Sequence, residues 1–190
     1  LLFAAGAGME VQAYENAIDE MVSQGYMVLA LNNTFVGASI LFPDGRLVHN
    51  RTDLGQPKVL PLADQSVSND ILFVRALINK ESTPISKLVL HMNLHEVGLF
   101  GHSMGAISVV NVVRKYPHLF QAAISFDAPP TDLGKRAYSK AQLAGFPSTP
   151  FMRLFAAEWR DLDGIVTPQN ANFQLFDNNY YTLLSPSEKN

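Results

Sequence analysis

The sequence predicts an α/β domain with a mostly parallel central sheet and helices on both of its faces. Continuous apolar runs of strand length occur at residues 26–31, 97–100 and 122–126, and segments with helical spacing separate them. Such runs are typical of strands that are covered on both faces, as in a parallel sheet. The strand, helix and strand at the start of the chain predict a right-handed crossover between two parallel strands.

The first third of the chain contains one such unit and then loses its regular pattern. We predict, in order, a strand over Leu1–Ala5, a helix over Met9–Gln24 and a strand over Tyr26–Leu31. Residues 32–65 are rich in Asn, Gly, Pro and Asp. Within them, Pro43-Asp44-Gly45 predicts a turn, which indicates an irregular excursion that contains a hairpin.

The rest of the chain continues the alternation of helices and strands. We predict helices over Asp70–Lys80 and Ala106–Tyr116, and strands over Val97–Phe100, Ala122–Phe126 and Phe151–Ala157. The first of these helices has a candidate cap in Ser68 or Asn69. No repeat or linker divides the sequence, so we expect residues 1–190 to belong to a single domain.

The composition narrows the class of protein. Hydrophobic residues make up 47% of the chain and charged residues 16%, which indicates a buried core rather than disorder. The net charge of −3 gives no basic surplus for binding nucleic acid. The absence of cysteine excludes a disulfide framework and a thiolate zinc site. No apolar run reaches the roughly 18 residues of a transmembrane helix, so we expect a soluble protein, and secretion or a periplasmic location stays open.

One motif carries the chemistry. Residues 101–105, Gly-His-Ser-Met-Gly, fit the pattern G-x-S-x-G, with a predicted strand before them and a predicted helix after them. In this context the motif is the nucleophile elbow of the α/β-hydrolase fold, a strained turn that exposes the serine hydroxyl. Gly101 and Gly105 are needed because larger side chains at these positions would collide with the neighbouring backbone. The sequence therefore predicts Ser103 as a nucleophile, with His102 inside the elbow and directed away from it.

An oxyanion hole needs two backbone N–H groups near the nucleophile. The residue after the serine, Met104, is expected to supply one of them. The loop after the first strand, Gly6-Ala7-Gly8, is expected to supply the other through Ala7. The alternative for this loop is that its glycines only permit a tight junction between strand and helix.

The acid and the base are less well defined by the residues alone. The usual chain order in this fold is serine, then Asp or Glu, then histidine. Asp127 follows the strand after the elbow helix, and Asp163 follows the next strand, so the sequence leaves both open as the acid. None of the five histidines, at positions 49, 91, 95, 102 and 118, comes after Asp127. His49 in the excursion is the one alternative that we keep as a base.

Truncation at both ends is the simplest explanation for the missing base. The first residue already lies in a predicted strand, and no histidine follows the candidate acids. We expect that initial strands and a C-terminal segment with the catalytic histidine are missing from this stretch. Because triad members act as a unit, we expect these residues alone to be nearly inactive.

The order of these features resembles one family, the platelet-activating factor acetylhydrolases of the plasma and isoform II type with their bacterial relatives. The resemblance spans about residues 1 to 160 and rests on the pieces LLFAAGAG, SQGYMVLAL, LFPDGRLV, VGLFGHSMGA, AAISFDAPP and PFMRLFAAEW. Ala5 departs from the histidine that the family has before its Gly-x-Gly loop. The resemblance implies that Asp127, in Ser-Phe-Asp-Ala, is the acid, with Asp163 as the alternative. It also implies ester substrates, including phospholipids with short or oxidised acyl chains.

The sequence therefore predicts a lipase-like serine esterase that works through an acyl-serine intermediate and needs neither a metal nor an organic cofactor. Two other functions stay open. A non-catalytic binding module on a hydrolase scaffold would account for the missing base and for Ala5. A thioesterase or amidase would use the same scaffold on a different bond. The sequence does not predict an oligomeric state.

Overall fold

A computed structural model describes residues 1–50, 53, 56, 58–80, 85–127 and 149–154 of the chain. Its centre is a five-stranded sheet in which every pair of neighbouring strands is parallel. Helices pack on both faces, which confirms the predicted architecture. Within the described ranges, no helix is both long and apolar enough to cross a membrane.

The strands, in chain order, are β1 (Leu2–Ala4), β2 (Leu29–Leu31), β3 (Ser39–Leu41), β4 (Leu47–His49), β5 (Gly98–His102), β6 (Ala122–Phe126) and β7 (Phe151–Leu154). The central sheet has the order β2-β1-β5-β6-β7, so β5 lies in its middle. The helices are α1 (Glu15–Ser23), α2 (Val59–Leu77), α3 (Ser86–Val89) and α4 (Met104–Lys115), and a 3-10 turn over Val11–Tyr14 precedes α1.

The two faces of the sheet build two separate cores. Successive strand residues point to opposite faces, so Leu2 and Ala4 of β1 pack with buried residues of α2 and α4. Phe3 and Phe100 face the other side, where Tyr14 and residues of α1 cover them. The short apolar runs of the sequence form buried strands because both faces are covered.

Helix α2 begins at Val59, and the prediction that it begins at Asp70 with a cap at Ser68 or Asn69 was wrong. Both cap candidates lie inside the helix, and Lys58 precedes it without a side-chain cap. The buried residues Ala63, Val67 and Ile71 continue one helical face through this region. Pro61 is accommodated because it lies in the first turn, where the backbone N–H has no partner within the helix.

Several other boundaries differ by a few residues from the predicted ones. The first helical region starts as the 3-10 turn at Val11, and the second strand is limited to Leu29–Leu31. The prediction of a third central strand over Ala122–Phe126 is confirmed at both ends. The predicted strand from Phe151 runs to Leu154 within the described residues, and its last three positions lie outside them.

The predicted hairpin in the excursion is confirmed. Strands β3 and β4 are antiparallel, and the Phe42 N–H donates to the Arg46 carbonyl at 2.9 Å across the turn. Gly45 has a φ of 84°, a conformation that glycine adopts without a steric penalty. The Ser39 hydroxyl donates to the Glu10 carboxylate at 2.6 Å, so the hairpin is attached to the segment that follows β1.

A partly buried polar cluster holds α2 against α4. The Asp64 carboxylate accepts hydrogen bonds from the Ser108 hydroxyl at 2.7 Å and from the Asn111 side-chain amide at 2.8 Å. Ser108 is fully buried, so its hydroxyl has no access to solvent. The cluster fixes the position of α4, the helix that begins immediately after the elbow serine.

We predict that Asp64→Ala lowers the free energy of unfolding by about 2 kcal/mol, because the buried Ser108 hydroxyl and the partly buried Asn111 amide lose a charged acceptor. Urea unfolding followed by circular dichroism measures this change. Asp19→Ala on the exposed side of α1 is the matched control and should change stability by less than about 0.5 kcal/mol. Equal effects of the two substitutions would contradict the assigned role of Asp64.

Candidate active site

Ser103 lies in a strained turn between β5 and α4. Its φ of 52° and ψ of −117° are unusual for a residue with a side chain. The Ser103 N–H donates to the Phe126 carbonyl at 2.9 Å, and its carbonyl accepts from the Ile107 N–H at 3.1 Å. These bonds, one to the neighbouring strand and one into the helix, stabilise a conformation that the local sequence does not favour.

The two glycines of the motif lie where no side chain fits. A Cβ on Gly101 would come within 2.7 Å of the Gly105 carbonyl group. A Cβ on Gly105 would overlap with the carbonyl oxygen of Ala4 in β1. The turn therefore lies directly against the carboxyl end of β1.

The loop after β1 contacts the elbow through Gly6. A Cβ at this position would lie 3.2 Å from the Ser103 Cβ, so the loop and the serine are immediate neighbours. The Gly6 carbonyl accepts from the Met9 N–H at 3.2 Å, and the Gly8 N–H donates to the Val36 carbonyl at 2.8 Å. The loop is thus held on both sides of Ala7.

The N–H groups of Ala7 and Met104 have no hydrogen-bond acceptor within the part of the chain that the structure describes. Met104 is the first residue of α4, where the backbone N–H has no partner in the helix and the helix dipole is positive. Ala7 directly follows Gly6, which borders Ser103. These two N–H groups thus belong to the residues that directly follow Ser103 and its neighbour Gly6.

Asp127 lies at the same edge of the sheet as the elbow. It directly follows β6, whose Phe126 is in register with His102 of β5. Its N–H donates to the Leu154 carbonyl at 2.7 Å, and it has a φ of 54°. The alternative acid, Asp163, lies outside the described residues.

His102 faces Asp127 and Tyr14. Its Nε2 lies 3.9 Å from the Asp127 Oδ2, which is an electrostatic contact rather than a hydrogen bond. Its Nδ1 lies 2.7 Å from the Tyr14 hydroxyl. Burial lowers the pKa of His102 below its usual value, and the Asp127 carboxylate offsets part of that shift.

The sequence interpretation missed Tyr14 as a site residue. Its helical spacing assigned it to a packing face with Val11 and Ile18, and its ring does pack there, against Phe3. Its hydroxyl, however, reaches the elbow, and the Gly6 N–H donates to it at 3.0 Å. The available signal was chemical, because a tyrosine in a core position needs a partner for its hydroxyl.

The remaining histidines are exposed and lie elsewhere. His49 is on β4 of the hairpin, His91 and His95 precede β5, and His118 follows α4. Within the described ranges, no contact joins any of the four to Ser103. The alternative of His49 as the base therefore has no geometric support.

We predict that the His102 imidazole titrates below pH 6.5, and that Asp127→Asn lowers its pKa further because the carboxylate favours the imidazolium. The folded pKa of His102 lies below the unfolded value, so the unfolded state takes up the proton first as the pH falls below 6.5. The free energy of unfolding therefore decreases between pH 6.5 and the folded pKa. NMR titration of the ring protons measures the pKa. A rise after Asp127→Asn would contradict the described geometry.

Comparison with known proteins places this architecture in a family. The model of the Hydrolase_4 family, described as serine aminopeptidase, S33, matches residues 1–179. A protein of Mycobacterium phage D29, provisionally named a non-heme haloperoxidase, is 25% identical over 128 residues, which cover 67% of this chain and 35% of that protein. The ferulic acid esterase from Streptomyces cinnamoneus has the same fold, with a TM-score of 0.66 and 19% identity.

The esterase alignment covers 97% of this chain and 47% of the esterase, so the chain spans less than half the length of these relatives. The shared fold and the extent of the family match agree with the parallel sheet and the central β5 described above. The chain belongs to the Hydrolase_4 family of α/β-hydrolases.

Proposed function

We propose that the protein is a serine esterase that cleaves carboxylic esters through an acyl-serine intermediate. The observation that carries this proposal is the position of Ser103, which combines a positive φ with a place at the N-terminus of α4. A serine in this position can attack a carbonyl carbon while the helix dipole favours the negative charge that develops.

The two N–H groups of Ala7 and Met104 form the oxyanion hole in this proposal. Attack by the Ser103 Oγ moves an electron pair onto the carbonyl oxygen, and hydrogen bonds from both groups stabilise that oxyanion. Collapse of the tetrahedral intermediate expels the alcohol and leaves the acyl group on Ser103. Water then attacks the acyl-serine and releases the carboxylic acid.

Asp127 is the acid of the proposed triad. Its position after β6, at the same edge as Ser103, agrees with a carboxylate that orients a histidine. The described contacts bring none of this chain's histidines to Ser103, and the chain spans 47% of the ferulic acid esterase. We infer that the base is a histidine outside these 190 residues, which takes the Ser103 proton and passes it to the leaving alcohol.

Esters with short acyl chains are the substrate class that we propose, with phospholipids among them. The support is the resemblance of residues 125–128 and of the FPDGR segment to the acetylhydrolases. The excursion contacts the Gly6–Gly8 loop through the hydrogen bond from the Gly8 N–H to the Val36 carbonyl, and the adjacent Phe35 is 49% exposed. Apolar groups near a reaction site suit a substrate with an acyl chain.

We predict that the protein expressed from its full coding sequence reacts with a fluorophosphonate probe at Ser103, because only an activated serine is nucleophilic enough. Peptide mass mapping locates the label, and Ser103→Ala should remove it together with p-nitrophenyl ester hydrolysis. Ser23→Ala, an exposed serine on α1, is the control and should retain both. A folded wild-type protein without label would instead favour the binding module.

Substitution of the two candidate acids distinguishes them. We predict that Asp127→Asn lowers kcat for p-nitrophenyl acetate by a factor on the order of 10⁴, as expected when a triad histidine loses its orienting carboxylate. Asp163→Asn should lower it less than tenfold. A large loss of kcat in Asp163→Asn with a small loss in Asp127→Asn would instead identify Asp163 as the acid. Thermal unfolding of both variants distinguishes loss of activity from loss of the folded structure.

A further inference from the structure

The Tyr14 hydroxyl joins the loop after β1 to the elbow. It accepts a hydrogen bond from the Gly6 N–H at 3.0 Å and lies 2.7 Å from the His102 Nδ1. A Cβ on Gly6 would lie 3.0 Å from the Tyr14 hydroxyl and from the His102 Nδ1. Glycine at position 6 thus lets the loop, the tyrosine and the elbow meet at one point.

The Tyr14 ring is itself held in place. It packs edge-on against the Phe3 ring of β1, with ring centroids 4.8 Å apart. It also packs against the His102 ring in a tilted arrangement, with centroids 5.4 Å apart. The 3-10 turn that carries it is closed by a hydrogen bond from the Ala13 N–H to the Glu10 carbonyl. Because the ring is packed on two sides, the position of the Tyr14 hydroxyl is fixed.

Two hydrogen bonds hold the peptide groups on either side of Gly6. Tyr14 holds the N–H of Gly6, and the Met9 N–H holds the carbonyl of the same residue. The Gly6 carbonyl and the Ala7 N–H belong to one planar trans peptide group and point in opposite directions. The Met9 bond therefore sets the direction of the Ala7 N–H, and the Tyr14 bond to the preceding Ala5–Gly6 peptide holds the Gly6 Cα from which that group extends.

The same hydroxyl bears on which ring nitrogen of His102 carries the proton. Because the Tyr14 oxygen accepts from the Gly6 N–H, its own proton is free to be donated to the His102 Nδ1. An Nδ1 that accepts leaves the ring proton of the neutral imidazole on Nε2, the atom that faces Asp127. The donated proton then keeps His102 from offering Nδ1–H to a group at the active site.

We propose that Tyr14 is a positioning residue, whose hydroxyl fixes the Ala5–Gly6 peptide, and with it the start of the loop that carries Ala7, against the elbow and holds His102 in its Nε2–H form. This role rests on the proposed esterase function, since Ala7 is one of its two oxyanion donors. Tyr14 does not contact the reacting atoms. It acts through Ala7, whose alignment determines how well the oxyanion is stabilised.

Tyr14→Phe tests the role because it keeps the ring and removes the hydroxyl. In the full-length protein, we expect kcat for p-nitrophenyl acetate to fall roughly 10- to 100-fold, less than the loss of a whole oxyanion donor. KM should stay within about threefold, because the transition state rather than the ground state loses stabilisation. Tyr26→Phe is the matched control, since Tyr26 is 53% exposed and lies before β2. A kcat within threefold of this control would overturn the proposal.

The nitrogen chemical shifts of the His102 ring test the same contact without catalysis. We expect the Nε2–H form in the wild-type protein and a mixture of both neutral forms in Tyr14→Phe. An Nδ1–H form in the wild type would overturn the proposal even if Tyr14→Phe fails to fold. A wild type that has the expected form but shows no label at Ser103 would refute the esterase function, and with it any catalytic role for Tyr14.

Discussion

Helix α4 runs so near to strand β1 that only a residue without a side chain fits at position 105. A Cβ there would overlap with the Ala4 carbonyl, and the loop that follows β1 is thereby brought against Ser103. The Gly6–Ser103 approach, the open N–H groups of Ala7 and Met104, and the contacts of Tyr14 all depend on this packing. The partly buried cluster around Asp64 supports this packing, because it fixes α4 to α2.

The parallel sheet accounts for the rest of the site. Strands β5 and β6 end side by side, so Ser103 and Asp127 leave the sheet at the same edge even though a helix separates them in sequence. Both have a positive φ, and each directly follows the last paired residue of its strand. A carboxylate and a hydroxyl that start from adjacent strand ends can share a third group between them, and a histidine from another segment has the right chemistry for that place.

Sequence reasoning works here where a function depends on local backbone geometry. The glycine spacing at 101–105 and the apolar run over Ala122–Phe126 can be recognised from adjacent residues, although the backbone of the elbow itself is held by β1 and β6. It did not find the contact between Tyr14 and His102, which are 88 positions apart and meet only because β1 and β5 pair. It also placed the start of α2 too late, since Val59–Asn69 has polar residues and a proline that only tertiary packing makes helical.

The pairing of β1 with β5 has a consequence for how the site is acquired during folding. Leu2 aligns with Leu99, so the chain must close a loop of nearly a hundred residues before β1 can pair with β5. Such long-range pairings are the slow part of folding in sheets of this kind. The unusual backbone of Ser103 is stabilised by the Phe126 carbonyl of β6 and by the close approach of β1. An isolated peptide of β5 and α4 lacks both, so it would not keep this conformation. The strained geometry of Ser103 is therefore a late product of folding, and the residue keeps an ordinary backbone conformation until the sheet is assembled.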